Sequence, residues 1–251
     1  MNPVASLAQR FQSIENLVPL RWRLPLRYHG QKLVGGLEPE MRLLGGLVKP
    51  GDVALDIGAN HGIYAFALAK LACEVHCFEP LLECCRFINA WGSSQITVHN
   101  VALSDAQNEV RLYLPVLNGH CVHTRASLQR PDGPCEIREV NVVTLDSFSL
   151  SRVDFIKMDV EGLEASVLRG AERTLTTHRP TLLIEIDRAR HDRKSFLAVH
   201  SALQALGYKT HVCETGRLVA CHEPWDASRE HINFIFKHYE RSKSSSPSPD
   251  L

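Results

Sequence analysis

Val53-Ala-Leu-Asp-Ile-Gly-Ala-Asn-His-Gly-Ile-Tyr64 is the stretch whose reading decides the fold. A short apolar run ends in an acid, Asp56. A small-residue turn follows with Gly58, Ala59 and Gly62, and a helical pattern then begins, with Tyr64, Leu68 and Leu71 at helical spacing. Strand, tight turn, helix is the opening unit of a doubly wound α/β sheet. The glycines would let backbone approach a ligand where any Cβ would collide. The acid bears on which ligand. A nicotinamide dinucleotide lays its pyrophosphate on a helix N-terminus after G-x-G-x-x-G. Here the spacing is Gly58-x-x-x-Gly62, and a carboxylate at Asp56 would repel a pyrophosphate. It suits a cationic ligand, and S-adenosylmethionine (SAM), with its sulfonium and ammonium, fits better. The alternative is an ordinary strand–turn–helix capped by Asn60.

The chain of 251 residues is long enough for one large α/β domain with a substantial core. Lys+Arg and Asp+Glu balance at 28 each, so no global field favours nucleic acid or an anionic membrane. The eight cysteines contain no C-x-x-C pair and read as reduced packing thiols of an intracellular, cytoplasmic protein. No run reaches the roughly 18 apolar residues of a membrane span. The start of the chain does not read as a secretory signal, and an organellar transit segment is the weaker alternative.

Residues 1–37 read as an N-terminal helix followed by a basic arm. Leu7, Phe11, Ile14 and Leu17–Val18 form a helical stripe, and Leu20–Tyr28 alternates with period two, as an edge strand or extended arm does. Its Arg21, Arg23 and Arg27 make either a solvated edge, the preferred reading, or a contact to an anionic substrate. Residues 38–237 form the main domain, opening on a short helix over Glu38–Leu47. The helix from Gly62 to Leu71 leads to a second strand, Glu74–Phe78, which ends at Glu79-Pro80. The offset from Asp56 to Glu79 is 79 − 56 = 23 residues, close to the spacing of about 20 at which an acid takes the ribose hydroxyls of a nucleotide. Ribose is the preferred reading, though Glu79 can also serve as an N-terminal acid of the helix Leu81–Trp91, whose Leu82, Cys85, Phe87 and Ile88 are expected inward. After a third strand, Ile96–Val101, Leu103 and Asp105 either contact the adenine or form a plain turn.

Strands at Val110–Leu114 and Val140–Val143 frame a hairpin-like insertion, about 110–143, whose long tip carries His120 and His123 and is expected to cover the site. Val153-Asp-Phe-Ile-Lys-Met-Asp-Val-Glu-Gly162 is the second informative stretch: a buried strand again ends in acids, and Gly162 turns into a helix over Leu163–Thr174. Strand C-termini line the ligand crevice in such sheets, so Asp159 and Glu161 fall beside Asp56 and Glu79; helix capping is the alternative. A fifth strand, Thr181–Asp187, carries Glu185. A helix over Ser195–Leu206 stops at Gly207, and strands at Tyr208–Cys213 and His231–Phe236 follow, joined by a loop. Residues 238–251 read as a disordered Ser-Pro tail.

Asp56-Ile-Gly-Ala-Asn-His-Gly62, Phe78-Glu-Pro80, Val101-Ala-Leu-Ser-Asp105, Thr144-Leu-Asp146, Ile156-Lys-Met-Asp-Val-Glu-Gly162, Leu168-Arg-Gly-Ala171 and Pro180-Thr-Leu-Leu-Ile-Glu185 resemble the FkbM family of SAM-dependent methyltransferases. The resemblance covers about Glu38–Asp187. It implies a class I methyltransferase fold: a Rossmann-like three-layer sandwich with a mostly parallel seven-stranded sheet whose last strand is antiparallel. It also implies O-methylation, often of sugar or natural-product hydroxyls. Carried onto this chain, Asp56, Gly58 and Asn60 border the cofactor's methionine part and Glu79 its ribose, with Gly62 also in the cofactor-binding set. Asp159 and Glu161 lie where substrate meets the methyl group. His61 stands where the family commonly has an apolar residue.

An alcohol is a poor nucleophile, so a general base is expected within hydrogen-bond reach; Asp159 is preferred, with Glu185, His120 and His123 as further candidates. A divalent metal held by Asp159 and Glu185 is conceivable chemistry that nothing in the spacing requires, and no metal is assigned. The acceptor is expected to be a small molecule or glycan, such as a sugar, glycolipid or natural product, with no nucleic acid and no integral membrane segment. The rival readings are a catalytically silent SAM-binding or partner-binding module and a nicotinamide-dependent oxidoreductase.

Overall fold

The computed structural model describes residues 17–117, 120–121, 130 and 133–240. Twelve strands run through them: β1 Val53–Ile57, β2 Glu74–Phe78, β3 Ile96–His99, β4 Ala102–Leu103, β5 Asn108–Leu117, β6 His120–Cys121, β7 Cys135–Val143, β8 Phe155–Met158, β9 Thr181–Glu185, β10 Tyr208–Glu214, β11 Arg217–Ala220 and β12 Asn233–His238. Eight of them form one sheet in the order β11-β10-β12-β9-β8-β1-β2-β3. β9, β8, β1, β2 and β3 are parallel, and β12 runs antiparallel between β9 and β10. This is the expected class I methyltransferase sheet with one strand more. The extra strand, β11, is the second arm of a hairpin with β10. Thr215 and Gly216 turn it with φ of 49° and 78°, the two left-handed residues that a tight hairpin turn needs.

The central strands are buried on both faces, which is why they read as near-continuous apolar runs. On one face Leu55, Ile57, Phe78, Ile156, Met158 and Phe234 pack against Phe196, Val167 and Leu175 of the helices Arg193–Ala205, Glu164–Arg169 and Glu172–His178. On the other, Ala54, Val75, Phe155, Leu183 and Ile235 pack against Ala65 and Leu68 of the helix Ile63–Leu68 and Ile88 of the helix Leu82–Trp91. Asp56 and Lys157 stand two residues beyond Ala54 and Phe155, so they share this second face.

The segment expected as an extended arm is instead a helix, Leu20–Leu33. Its period-two alternation contains Leu20, Leu24 and Tyr28, which also satisfy i, i+4. Leu24 is fully buried with Phe66 and Phe87, and the Tyr28 ring lies 4.8 Å from that of Phe66. Burying a leucine stabilises by about 1.5–3 kcal/mol, and together with Tyr28 this offsets the cost of about 3 kcal/mol for Pro25 inside the helix. Residues 1–16 and 241–251, with the expected first helix and most of the tail, lie outside the described residues.

Three further expectations change. The single helix over 163–174 is two, broken at Gly170, where an added Cβ would stand 1.9 Å from the Ser104 carbonyl oxygen. Leu82 is 47% exposed, and Cys84 is buried beside Cys85 instead. The insertion is a longer hairpin than expected: β5 pairs antiparallel with β7 from Asn108–Val142 to Pro115–Cys135, in a second sheet ordered β4-β7-β5-β6. All eight cysteines are free, with Cys77, Cys84, Cys85 and Cys213 buried. No helix among the described residues is long and apolar enough to cross a membrane.

Candidate active site

Strand register assembles the acids. Ile57 stands opposite Phe78 on one side and Met158 on the other, so Glu79 and Asp159, each one residue further on, flank the turn at Gly58. Met158 stands opposite Ile184, which sets Asp159 beside Glu185. The carboxylates of four separate motifs therefore share one sheet edge. A cavity of about 290 Å³ opens there, between Arg27 and Gln31 of the first helix, Glu38 and Met41 of the next segment, and Asp56, Lys157 and Asp159 of the strand ends.

Asp56 is 2% exposed, and its Oδ2 has no hydrogen-bond partner. Burial pushes its carboxyl up to about 7; Lys157 opposes the shift, and Asp159 and Glu79 add to it. Burial likewise raises Asp159, with the cation of Lys157 opposing and the charges of Glu38 and Glu164 adding. It takes Glu185 up to about 8, helped by Asp159, and Glu161 up to about 7, where Arg190 forms an ion pair with it. Glu161 also has φ of 56°, so its backbone sits in the strained left-handed region.

Glu79, equally buried, receives Leu81 N–H at 2.8 Å on one oxygen and Asn60 N–H at 2.7 Å on the other, and burial raises its carboxyl to about 7. Asn60 makes no side-chain cap to the helix Ile63–Leu68, whose N-cap is Gly62. Gly58 and Gly62 are needed against the protein's own atoms: a Cβ at 58 would lie 1.8 Å from the Asp159 carbonyl oxygen, and one at 62 would lie 2.8 Å from Ile88 Cγ1. The turn's amides are engaged too. Gly58 and Ala59 donate to the Phe78 carbonyl, and Gly62 donates to Ala59. A loop so occupied has no row of amides to offer a pyrophosphate, which argues against the nicotinamide reading.

Glu79, Glu161 and Glu185 share this edge without lining the cavity, and Leu103 and Asp105 do not line it either. Leu103 is buried in the core with Phe78 and Ile57. Asp105 is exposed and tied to Arg169 at 2.7 Å, which holds its carboxyl below the usual range. His120 is placed by the backbone of β6, and His123 lies outside the described residues.

Three residues that sequence reasoning passed over line the cavity. Lys157 is 2% exposed within β8, and its Nζ lies 4.9 Å from the centre of the Tyr64 ring. The Tyr64 hydroxyl donates to Glu38 at 2.6 Å, and the same Glu38 oxygen accepts from Asn233 at 3.1 Å. A lysine two residues before Asp159 in a wholly buried strand was the available signal for the first. Nothing local marked the other two, which are 26 residues apart.

Buried carboxylates outnumber the one buried cation, and the Asp56 oxygen has no partner. The edge therefore fits a ligand that brings positive charge, as the sulfonium and ammonium of SAM do. Comparison with known proteins agrees. A profile described as "Methyltransferase FkbM domain" matches residues 56–210. The chain belongs to the FkbM methyltransferase family. Its cofactor is accordingly SAM. Among curated proteins this FkbM chain is 28% identical over 187 residues to 2-O-methyltransferase NoeI of Sinorhizobium fredii, covering 65% of the chain and 75% of that protein. It is 26% identical over 192 residues to AMB antimetabolite synthetase AmbE of Pseudomonas aeruginosa, covering 59% of the chain but 9% of that protein. The solved FkbM methyltransferase of Methylobacillus flagellatus superposes with a TM-score of 0.50 at 18% identity, over 94% of this chain. The chain spans 60% of the length of that solved structure.

Proposed function

We propose that this chain is an O-methyltransferase that acts on a hydroxyl of a sugar, glycolipid or natural product, with Asp159 as the general base. The observation that carries the reading is the position of Asp159: it lines the cavity next to Lys157 and Asp56, on a strand end pinned by its own N–H to the Ile57 carbonyl at 2.9 Å. SAM supplies an electrophilic methyl group. Asp159, raised by burial, would take the hydroxyl proton as the oxygen bonds to the methyl carbon, the methyl C–S bond breaking to leave a neutral thioether. Glu185, beside it in register, offers a second place for the proton. Asp56, with Gly58 and Asn60, borders the methionine part, and Glu79 has lone pairs left for ribose hydroxyls after its two backbone contacts. Leu103 and Asp105 are the weaker part of this assignment, since the core takes up one and Arg169 the other. The 2-O-methyltransferase name of one relative supports oxygen as the acceptor atom. Balanced charge supports a small-molecule or glycan acceptor over nucleic acid, and eight free cysteines support a cytoplasmic setting.

The test is transfer of labelled methyl from SAM to a panel of sugars, glycolipids and hydroxylated metabolites. Label should appear as an O-methyl ether. Asp159→Asn should lose turnover by about 100-fold or more with SAM affinity little changed. Label on nitrogen or carbon would overturn the reaction type. Full turnover by Asp159→Asn would overturn the base. SAM binding without transfer to any of the panel would favour the silent binding module.

A further inference from the structure

We propose that Lys157 is the counter-ion of the cofactor's α-carboxylate and so selects SAM by its amino-acid end. The proposal rests on SAM occupying the Asp56 edge. Lys157 lines the cavity and is 98% buried by its 2% exposure, yet its ammonium makes one hydrogen bond among the described residues, a long 3.5 Å contact to the Met158 carbonyl. An ammonium has three protons to place, and leaving them unplaced in the interior is costly. No direct ion pair to it forms among the described residues. Asp159, Glu38, Glu185 and Asp56 surround it at longer range, and their charges outweigh burial and keep it protonated.

Its neighbour supplies the other half of the argument. Asp56 and Lys157 are direct partners across the parallel strands β1 and β8, on the same face. One has a carboxylate oxygen without a donor, the other an ammonium short of acceptors. They have not satisfied each other. A group carrying both an ammonium and a carboxylate on one carbon would satisfy both, and the methionine end of SAM is such a group. The Tyr64 ring, fixed by Glu38, steadies the ammonium from one side by a cation–π contact.

The experiment is calorimetric binding of SAM and of decarboxylated SAM, with no acceptor present, to the wild-type chain and to Lys157→Met and Lys157→Gln. Wild type should prefer SAM, and either variant should lose roughly 10- to 150-fold in SAM affinity, the equivalent of one charge-assisted hydrogen bond. Affinity for decarboxylated SAM should hold or rise, which also shows that the variant is folded. Equal weakening of both ligands would reduce Lys157 to a structural counter-charge and overturn the proposal. So would a wild type indifferent to the carboxylate, a result that stands even if neither variant folds. A wild type that binds neither ligand would overturn the cofactor assignment itself.

Discussion

The carbonyl oxygen of Asp159 occupies the space in which a side chain at Gly58 would begin, 1.8 Å from an ideal Cβ. The contact locks the end of β1 to the end of β8 and so fixes the acid of one motif against the turn of the other. Gly58→Ala should break it. Alanine there must hold φ of 78°, a strain of about 1–3 kcal/mol, and overpack a backbone atom at a further cost of about 1–3 kcal/mol. Denaturant unfolding should show the sum, and SAM affinity should fall with it because the Gly58–Asn60 turn, which lines the cavity, is displaced. Unchanged stability would mean that the two strand ends can separate freely.

How much of this was legible beforehand depended on how local each determinant is. β1 and β2 are bounded as expected because a continuous apolar run, a turn and an acid all lie within a few residues. The partnership of Asp56, Glu79 and Asp159 was legible for the same reason: each acid ends a strand, and parallel register does the rest. The helix Leu20–Leu33 was not. Its alternation contains a helical stripe, and the surface that chooses between them, Phe66 and Phe87, is over 30 residues away. Glu38 and Tyr64 meet only through folding. Lys157 was visible inside its motif, but a lone lysine in a strand says nothing of its burial until the helices above it are placed. The adenine-side roles expected of Leu103 and Asp105 drew on loop position alone, and there the core and Arg169 compete for the same side chains.

Glu79 is held by two amides of its own chain, so its two roles can be separated. Glu79→Gln keeps one acceptor and turns an amide nitrogen toward an N–H. The unfolding free energy should fall by about 1–3 kcal/mol, the cost of one unsatisfied buried group. If Glu79 also accepts from the ribose, SAM affinity should drop in the same variant. Lost stability with unchanged affinity would confine Glu79 to holding the turn.

Asp146 has a purely structural task. Its carboxylate accepts from Arg173 N–H at 2.8 Å, and from Thr174 N–H at 2.9 Å and Thr174 Oγ1 at 2.7 Å. It thus caps the first turn of the helix Glu172–His178 from outside that helix. Asp146→Ala should cost about 0.5–2 kcal/mol, as lost helix caps do, and leave SAM affinity unchanged. A variant with native melting behaviour and lost binding would reverse that assignment.

Asp56 makes stability and binding run in opposite directions with pH. Its carboxyl titrates near 7 in the folded chain, above the ordinary value of 3.8. For an acid whose folded pKa is raised, the unfolded chain ionises first. Asp56 therefore costs nothing below about pH 4, an increasing amount from there to pH 7, and a constant amount above, on the order of 4 kcal/mol. The protein without ligand should melt at progressively lower temperature across that window, and Asp56→Asn should flatten the slope and raise stability at pH 8. A cationic cofactor prefers the ionised acid, so SAM should bind more tightly as pH rises from 5 to 7, with little gain beyond. At pH 6 binding should release protons, measurable by calorimetry in two buffers of different ionisation enthalpy. Glu79, also near 7, and Asp159, also raised, contribute in the same sense, so Asn at 56 should reduce the proton release without abolishing it. Proton uptake on binding, or a release unaltered by the substitution, would show that Asp56 is not the charge that meets the cofactor.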